Sequence, residues 1–317
     1  MTAISVSLNN VTKRYGSFTA VDDLSFDVEK GEIYGFLGPN GAGKTTTLRM
    51  MLDIISPSEG SIVILDSNSA IKVRRRIGYL PEERGLYRKM KAADSIAYFA
   101  QLRGMSRSAA KKKAHALLEK FGLGEFARAK NEALSKGMAQ KVQLLATIAH
   151  EPELLILDEP FSGLDPINQQ TLEELIREQR AGGRTIIFST HVMQHAERLC
   201  DRFLIIAHGR KRFEGTLHEA RSSFAQRLHV RTSAPAEALT ALGGVVHIRI
   251  EDAGAETTYE IELEDGADPQ LFLQKAVAAG IPISRFEQAG ATLHDIFVAL
   301  AGDQAPEKTA PRREAAE

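Results

Sequence analysis

The stretch Gly38-Pro39-Asn40-Gly41-Ala42-Gly43-Lys44-Thr45 constrains this chain most, because it fits the phosphate-binding pattern G-x-x-x-x-G-K-[ST]. The pattern carries chemistry only between a strand and a helix. Ile33 to Leu37 before it is short and apolar enough for a buried strand, and Thr46 to Leu52 after it reads as the first turns of a helix. A helix N-terminus offers unpaired N–H groups and the positive end of a dipole, which suits a polyphosphate. Glycines let the loop curl and bring its amides close to phosphate oxygens. In that setting Lys44 reaches the β- and γ-phosphates, the Thr45 hydroxyl binds Mg²⁺, and Thr46 belongs to the same nucleotide site.

Two further strand ends fit this reading. Leu154-Leu155-Ile156-Leu157 is a buried-strand pattern ending in Asp158-Glu159-Pro160. Beside a phosphate loop, Asp158 is expected to hold the metal and Glu159 to accept a proton from the attacking water or orient it. Thr185 to Thr190 is a second buried strand, and His191 at its end is a candidate γ-phosphate contact. His195 invites a metal reading, but no third ligand is evident. Leu134-Ser135-Lys136-Gly137 precedes a helical pattern with Ser135 as its N-cap, so a second anion site can form there. Tyr15 is either ordinary sheet packing or a ring for a purine to stack on.

Lys+Arg 40 against Asp+Glu 41 leaves a net charge of -1, so nucleic acid is not expected as the main partner. The single cysteine, Cys200, excludes an internal disulfide and is expected to pack in the core. Met1 to Asn10 alternates like a strand rather than a signal peptide, and no apolar run approaches the roughly 18 residues that span a bilayer. Any membrane role must come through another chain.

The expected fold class is α/β. A nucleotide-binding domain over 1–220 has antiparallel strands around Ile4–Leu8 and Leu24–Val28, a parallel core, and a helical subdomain inserted at about 86–150. Arg74-Arg75-Arg76 reads as a solvated charge run. Beyond it, 221–302 has the order β-α-β-β-α-β, a small ferredoxin-like domain, with Val246, Ile248 and Ile250 alternating on one strand. The Ala-, Pro- and charge-rich 303–317 is expected to be disordered.

Together these motifs resemble the ATP-binding subunit of an ABC transporter, over about Ile4 to Gly215. The resemblance implies a P-loop cassette in which Tyr15 stacks on adenine, Gly38 to Thr45 is the Walker A loop and Leu154 to Asp158 the Walker B strand. It makes Glu159 the catalytic carboxylate, Ser162 to Asp165 the D-loop and His191 the switch histidine. Ser135 and Gly137 lie in the family signature, which in this family closes over the ATP held by the opposite subunit. Two Mg·ATP are then sandwiched in a homodimer, which drives a separate transmembrane permease at the cytoplasmic face of the membrane. Two positions depart from the pattern. The signature reads Leu134-Ser135-Lys136-Gly137-Met138 where the family usually has Leu-Ser-Gly-Gly-Gln, and Glu82, still able to meet Mg²⁺, replaces the Q-loop glutamine. These departures, Ile77 to Met90 and the extra C-terminal domain resemble bacterial sodium-efflux-type and drug-export ATPases. The alternatives are an ATP-gated clamp on a ribosome or DNA, and a regulator whose second domain binds a ligand.

Overall fold

The computed structural model describes residues 3–83, 85–222, 227–253, 256–264, 267–289 and 291–302. The expected disordered tail, 303–317, lies outside them. The chain divides into two compact units, Met1–Ala220 and Arg221–Glu317.

The first unit opens with β1 (Ile4–Tyr15) and β2 (Phe18–Glu29), a hairpin turning at Gly16-Ser17. β3 (Ile33–Leu37) leads through the glycine loop into α1 (Lys44–Met51), and β4 (Glu59–Ile64) follows. β4 stops at Ile64 because Leu65 and Asp66 take positive φ and turn the chain. After the single turn α2 (Ala70–Val73) comes β5 (Ile77–Leu80). The inserted helices are α3 (Ala92–Leu102), α4 (Arg107–Lys120) and α5 (Lys136–Ile148). β6 (Leu154–Asp158), α6 (Pro166–Ala181), β7 (Thr185–Thr190) and α7 (Met193–Leu199) complete the core, and β8 (Arg202–Ala207) and β9 (Arg210–Gly215) close it as a hairpin. A short α8 (Leu217–Ser222) follows.

The main sheet has the order β5-β6-β7-β3-β8-β9, parallel except for β9. Both of its faces are covered, which explains the unbroken apolar runs. Leu155, Leu157, Ile186 and Phe188 pack with the inserted helices and α6, while Leu154, Ile156, Ile187 and Phe36 pack with α1 and the sheet β2-β1-β4. Each such side chain contributes about 1.5–3 kcal/mol on burial. Arg76 is not simply solvated: its guanidinium donates to both Glu153 carboxylate oxygens at 2.6 and 2.8 Å and to Leu65 O at 3.1 Å. Cys200 follows α7 directly, and its Sγ lies 2.6 Å from where a Cβ on Gly35 would stand.

The second unit consists of β10 (Arg227–Thr232), α9 (Ala236–Thr240), β11 (Val245–Ala253), β12 (Thr257–Leu263), α10 (Pro269–Ala278), β13 (Ile283–Ala289) and α11 (Leu293–Gly302). Its antiparallel sheet runs β11-β12-β10-β13, the ferredoxin-like arrangement. One face packs Leu228, Val230, Ile261 and Phe272; the other pairs Arg227 and Arg249 with Glu260. The simple alternation on β11 does not hold. A register shift after Val245 turns Val246 outward, so Val245 and Ile248 pack inward, and Ile250 is exposed near the next shift.

Candidate functional site

Strand order decides what meets what. β7 lies between β3 and β6, so the carboxyl ends of all three come together, with Asp158 beside Ser189 and Leu37 beside Thr190. The residues just past those ends are Gly38, Glu159 and His191. Gly43 caps α1 at φ +105°, and a Cβ there would come 2.6 Å from Ala20 O, so the loop requires glycine.

Lys44 and Glu159 are both buried, and their charged atoms stand 3.3 Å apart. Lys44 Nζ also donates to Gly38 O at 2.7 Å and Pro39 O at 3.3 Å. Among the described residues Glu159 Oε1 makes no hydrogen bond and faces the Lys44 ammonium; Oε2 lies 3.0 Å from His191 Nδ1. Glu159 takes φ +46°, a conformation costing about 1–3 kcal/mol for a residue with a Cβ. Its N–H donates to Ser189 Oγ at 2.9 Å, and Ser189 Oγ donates to Asp158 Oδ1 at 2.6 Å. Thr45 Oγ1 donates to the same Asp158 oxygen at 3.4 Å, and Asp158 Oδ2 is buried without a partner. Burial raises the Asp158 carboxyl above its usual range, against the two hydroxyls that stabilise its charge.

A cavity of about 390 Å³ lies over this cluster, lined by Pro39, Asn40, Gly41, Gly43, Lys44, Thr45, Thr46, Glu82 and Glu159. Gly38 and Ala42 instead shape the loop: Gly38 O holds Lys44, and the Ala42 N–H donates to Pro39 O at 3.2 Å. Phe18 lines the cavity, whereas Tyr15, its register partner across the hairpin, does not. Tyr15 is half exposed with Lys13 Nζ 5.1 Å from its ring centroid. The Asp158 oxygen without a partner, the Thr45 hydroxyl and a carboxylate at Glu82 suit a hard divalent cation that takes its other ligands from phosphate and water. Among the described residues no cluster of three His, Cys, Asp or Glu could hold a metal unaided.

Ser135, Gly137 and Asp165 lie elsewhere. Ser135 caps α5, accepting from Met138 N at 3.3 Å. Asp165 caps α6, accepting from Asn168 N at 2.9 Å and Asn168 Nδ2 at 2.6 Å. A Cβ on Gly137 would meet Asn168 Nδ2 at 2.7 Å, and the Lys136 ammonium rests on Gly163. The three form one surface, and none lines the cavity over Lys44. Sequence reasoning passed over Ser189 and Phe18. The pair of hydroxyl residues, Ser189 and Thr190, at the carboxyl end of β7 is the signal for Ser189.

The family profile described as ABC transporter matches residues 21–162, and one described as ATP-binding protein DrrA1-3-like, C-terminal domain matches residues 215–301. The chain is 39% identical to the uncharacterized ABC transporter ATP-binding protein YhaQ of Bacillus subtilis, over 94% of this chain and 98% of that one. It is 41% identical to Nod factor export ATP-binding protein I of Burkholderia orbicola, over 69% and 73% of the two chains. Among solved structures, the dimeric post-hydrolysis state of the ATP-binding cassette MJ0796 bound to ADP and Pi superposes with a TM-score of 0.62 at 25% identity, covering 67% of this chain and 98% of that one.

Proposed function

The chain belongs to the family of ABC transporter ATP-binding proteins and is an ATPase of that family, and from that premise we propose that it powers export through a separate membrane-spanning permease, closing as a homodimer around two Mg·ATP. Its similarity to a Nod factor export protein favours export over the clamp and regulator readings. No helix among the described residues is long and apolar enough to cross a membrane, which fits an ATPase docked on a permease at the cytoplasmic face.

The observation that carries the catalytic reading is Glu159, held between Lys44 and His191 at the floor of the phosphate cavity. Amides from Gly41 to Thr46 at the α1 N-terminus face the phosphates. Lys44 exchanges Glu159 for the β- and γ-phosphate oxygens, which leaves the carboxylate free to orient water and accept its proton. His191 keeps that carboxylate aimed. Thr45, Asp158 and Glu82 would hold Mg²⁺, whose chemistry would be to neutralise phosphate charge. Adenine packs at the hairpin that carries Tyr15 and Phe18. Ser135, Gly137 and Asp165 of the mate complete the site from the far side of the nucleotide.

The cleft beside β5, walled by Tyr79, Pro81, Gly85, Phe99, Arg103 and His150, offers the permease a docking place next to Glu82. Exposed Tyr87, Tyr98 and Leu102 extend it with apolar surface.

Glu159→Gln is the test. Turnover is expected to fall about a thousandfold while ATP binding persists and an ATP-dependent dimer accumulates. Full turnover in that variant refutes the catalytic assignment. Recovery of the chain with a permease from detergent-solubilised membranes supports export; recovery only with ribosomes or DNA contradicts it.

A further inference from the structure

Glu159 sits in a left-handed backbone conformation, so something must hold the turn that follows it. Two residues on, the buried Phe161 ring stacks on His195, with centroids 4.0 Å apart and planes at 11°. It also meets Phe188 edge-on, at 5.9 Å and 79°, within the apolar core. His195 is buried in α7, one turn beyond His191; its Nδ1 lies 3.5 Å from Glu173 Oε1 and makes no hydrogen bond among the described residues. Glu173 is buried too, and Arg177 and Arg198 stand 3.4 and 3.5 Å from its carboxylate. A cavity of about 800 Å³ opens between α6 and α7, with Glu159, Phe161, Glu173, His191 and His195 on its wall. On that side the imidazole is the brace for Phe161.

α7 and the residue that precedes it by two therefore grip the segment at two points. His191 Nδ1 meets the Glu159 carboxylate at 3.0 Å, and His195 clamps the Phe161 ring. We infer that His195 is a positioning residue: buried in α7, its ring fixes Phe161 and so holds the Glu159 carboxylate in line with the γ-phosphate. The inference rests on the reading of Glu159 as the water-orienting carboxylate. It also ties the loop Ser162–Asp165, which begins directly after Phe161, to the helix behind His191.

The test is steady-state ATPase kinetics and ATP affinity of the purified full chain carrying His195→Leu, His195→Phe, Glu159→Gln, and His195→Leu combined with Glu159→Gln. Leucine fills the volume without a flat face, and phenylalanine restores the stack. His195→Leu is expected to lower kcat about tenfold, with KM and ATP Kd within about twofold of wild type. His195→Phe recovers kcat to within about threefold. In the Glu159→Gln background, His195→Leu takes nothing more from the residual rate, because the group it positions is gone. The inference falls if His195→Leu keeps wild-type kcat while Glu159→Gln is inactive, if phenylalanine fails to rescue, or if leucine costs the same in both backgrounds. Full turnover in Glu159→Gln removes the premise, and the inference falls with it.

Discussion

The cavity over Lys44 and the surface around Ser135 are both built at helix N-termini with acids and hydroxyls close by, yet they use those groups in opposite ways. In the cavity charge is buried and incompletely matched: Asp158 Oδ2 and Glu159 Oε1 make no hydrogen bond, and burial raises the Asp158 carboxyl. On the surface the polar groups are occupied. Ser135 and Asp165 each accept from their own helix, and hydrogen bonds from Asn168 lower the Asp165 carboxyl. Unmatched buried polar atoms cost stability and persist where a ligand will match them. Satisfied exposed caps cost nothing until another surface arrives. In the proposed function, the first region takes the nucleotide and the second is the half that a mate presents.

Asp158→Asn attacks the first half. Turnover is expected to fall about a thousandfold, while the nucleotide-free chain melts at a higher temperature, because the variant removes a buried charge that desolvation disfavours. A variant less stable than wild type would show that the carboxylate is matched after all. Ser135→Asp attacks the second half. Aspartate still caps α5, so melting holds, but an anion now faces the phosphate of the mate's nucleotide. Turnover drops about a hundredfold with unchanged ATP affinity for the separated chain. A loss of affinity in the separated chain would place Ser135 in its own chain's site.

The same contrast reaches the cleft beside β5. His150 Nε2 donates to Ile77 O at 3.1 Å, Nδ1 has no partner, and burial lowers its pKa to about 4. Below its ordinary value of about 6.5 the unfolded chain binds a proton that the folded chain refuses until about 4. Stability is therefore full above that window and is lost as pH falls through it, by about 2 kcal/mol once the cleft's exposure to solvent is allowed for. Denaturant titrations at several pH values check this, and His150→Gln flattens the slope. An unchanged slope in that variant would assign the acid sensitivity to another group.

Where chemistry depends on neighbours in sequence, the chain was readable. The runs 154–158 and 185–190 are strands with the bounds their apolar patterns suggest, because a strand covered on both faces admits little else. The glycine loop identified itself by residue type and spacing. What could not be read depends on contacts across the chain. Ser189 is one of three hydroxyl residues in its strand, and only with β6 beside it does its hydroxyl bridge Asp158 and the Glu159 amide. Phe18 replaces Tyr15 on the cavity wall because a hairpin turn, not composition, decides which ring faces in. The shift on β11 leaves no mark in the alternation of Val246, Ile248 and Ile250. Lys136 is an oddity in the sequence; in the fold its ammonium rests on Gly163, joining the signature to the loop before α6.

The most direct measurement of the two-half account mixes two inactive chains. Lys44→Ala spoils the nucleotide half and Ser135→Asp the closing half. In a mixed pair, Lys44 of one chain faces Ser135 of the other, which rebuilds one intact site. An equimolar mixture is predicted to hydrolyse ATP at roughly a quarter of the wild-type rate, with half of the pairs mixed and one good site in each. A mixture as inactive as either variant alone would contradict the account.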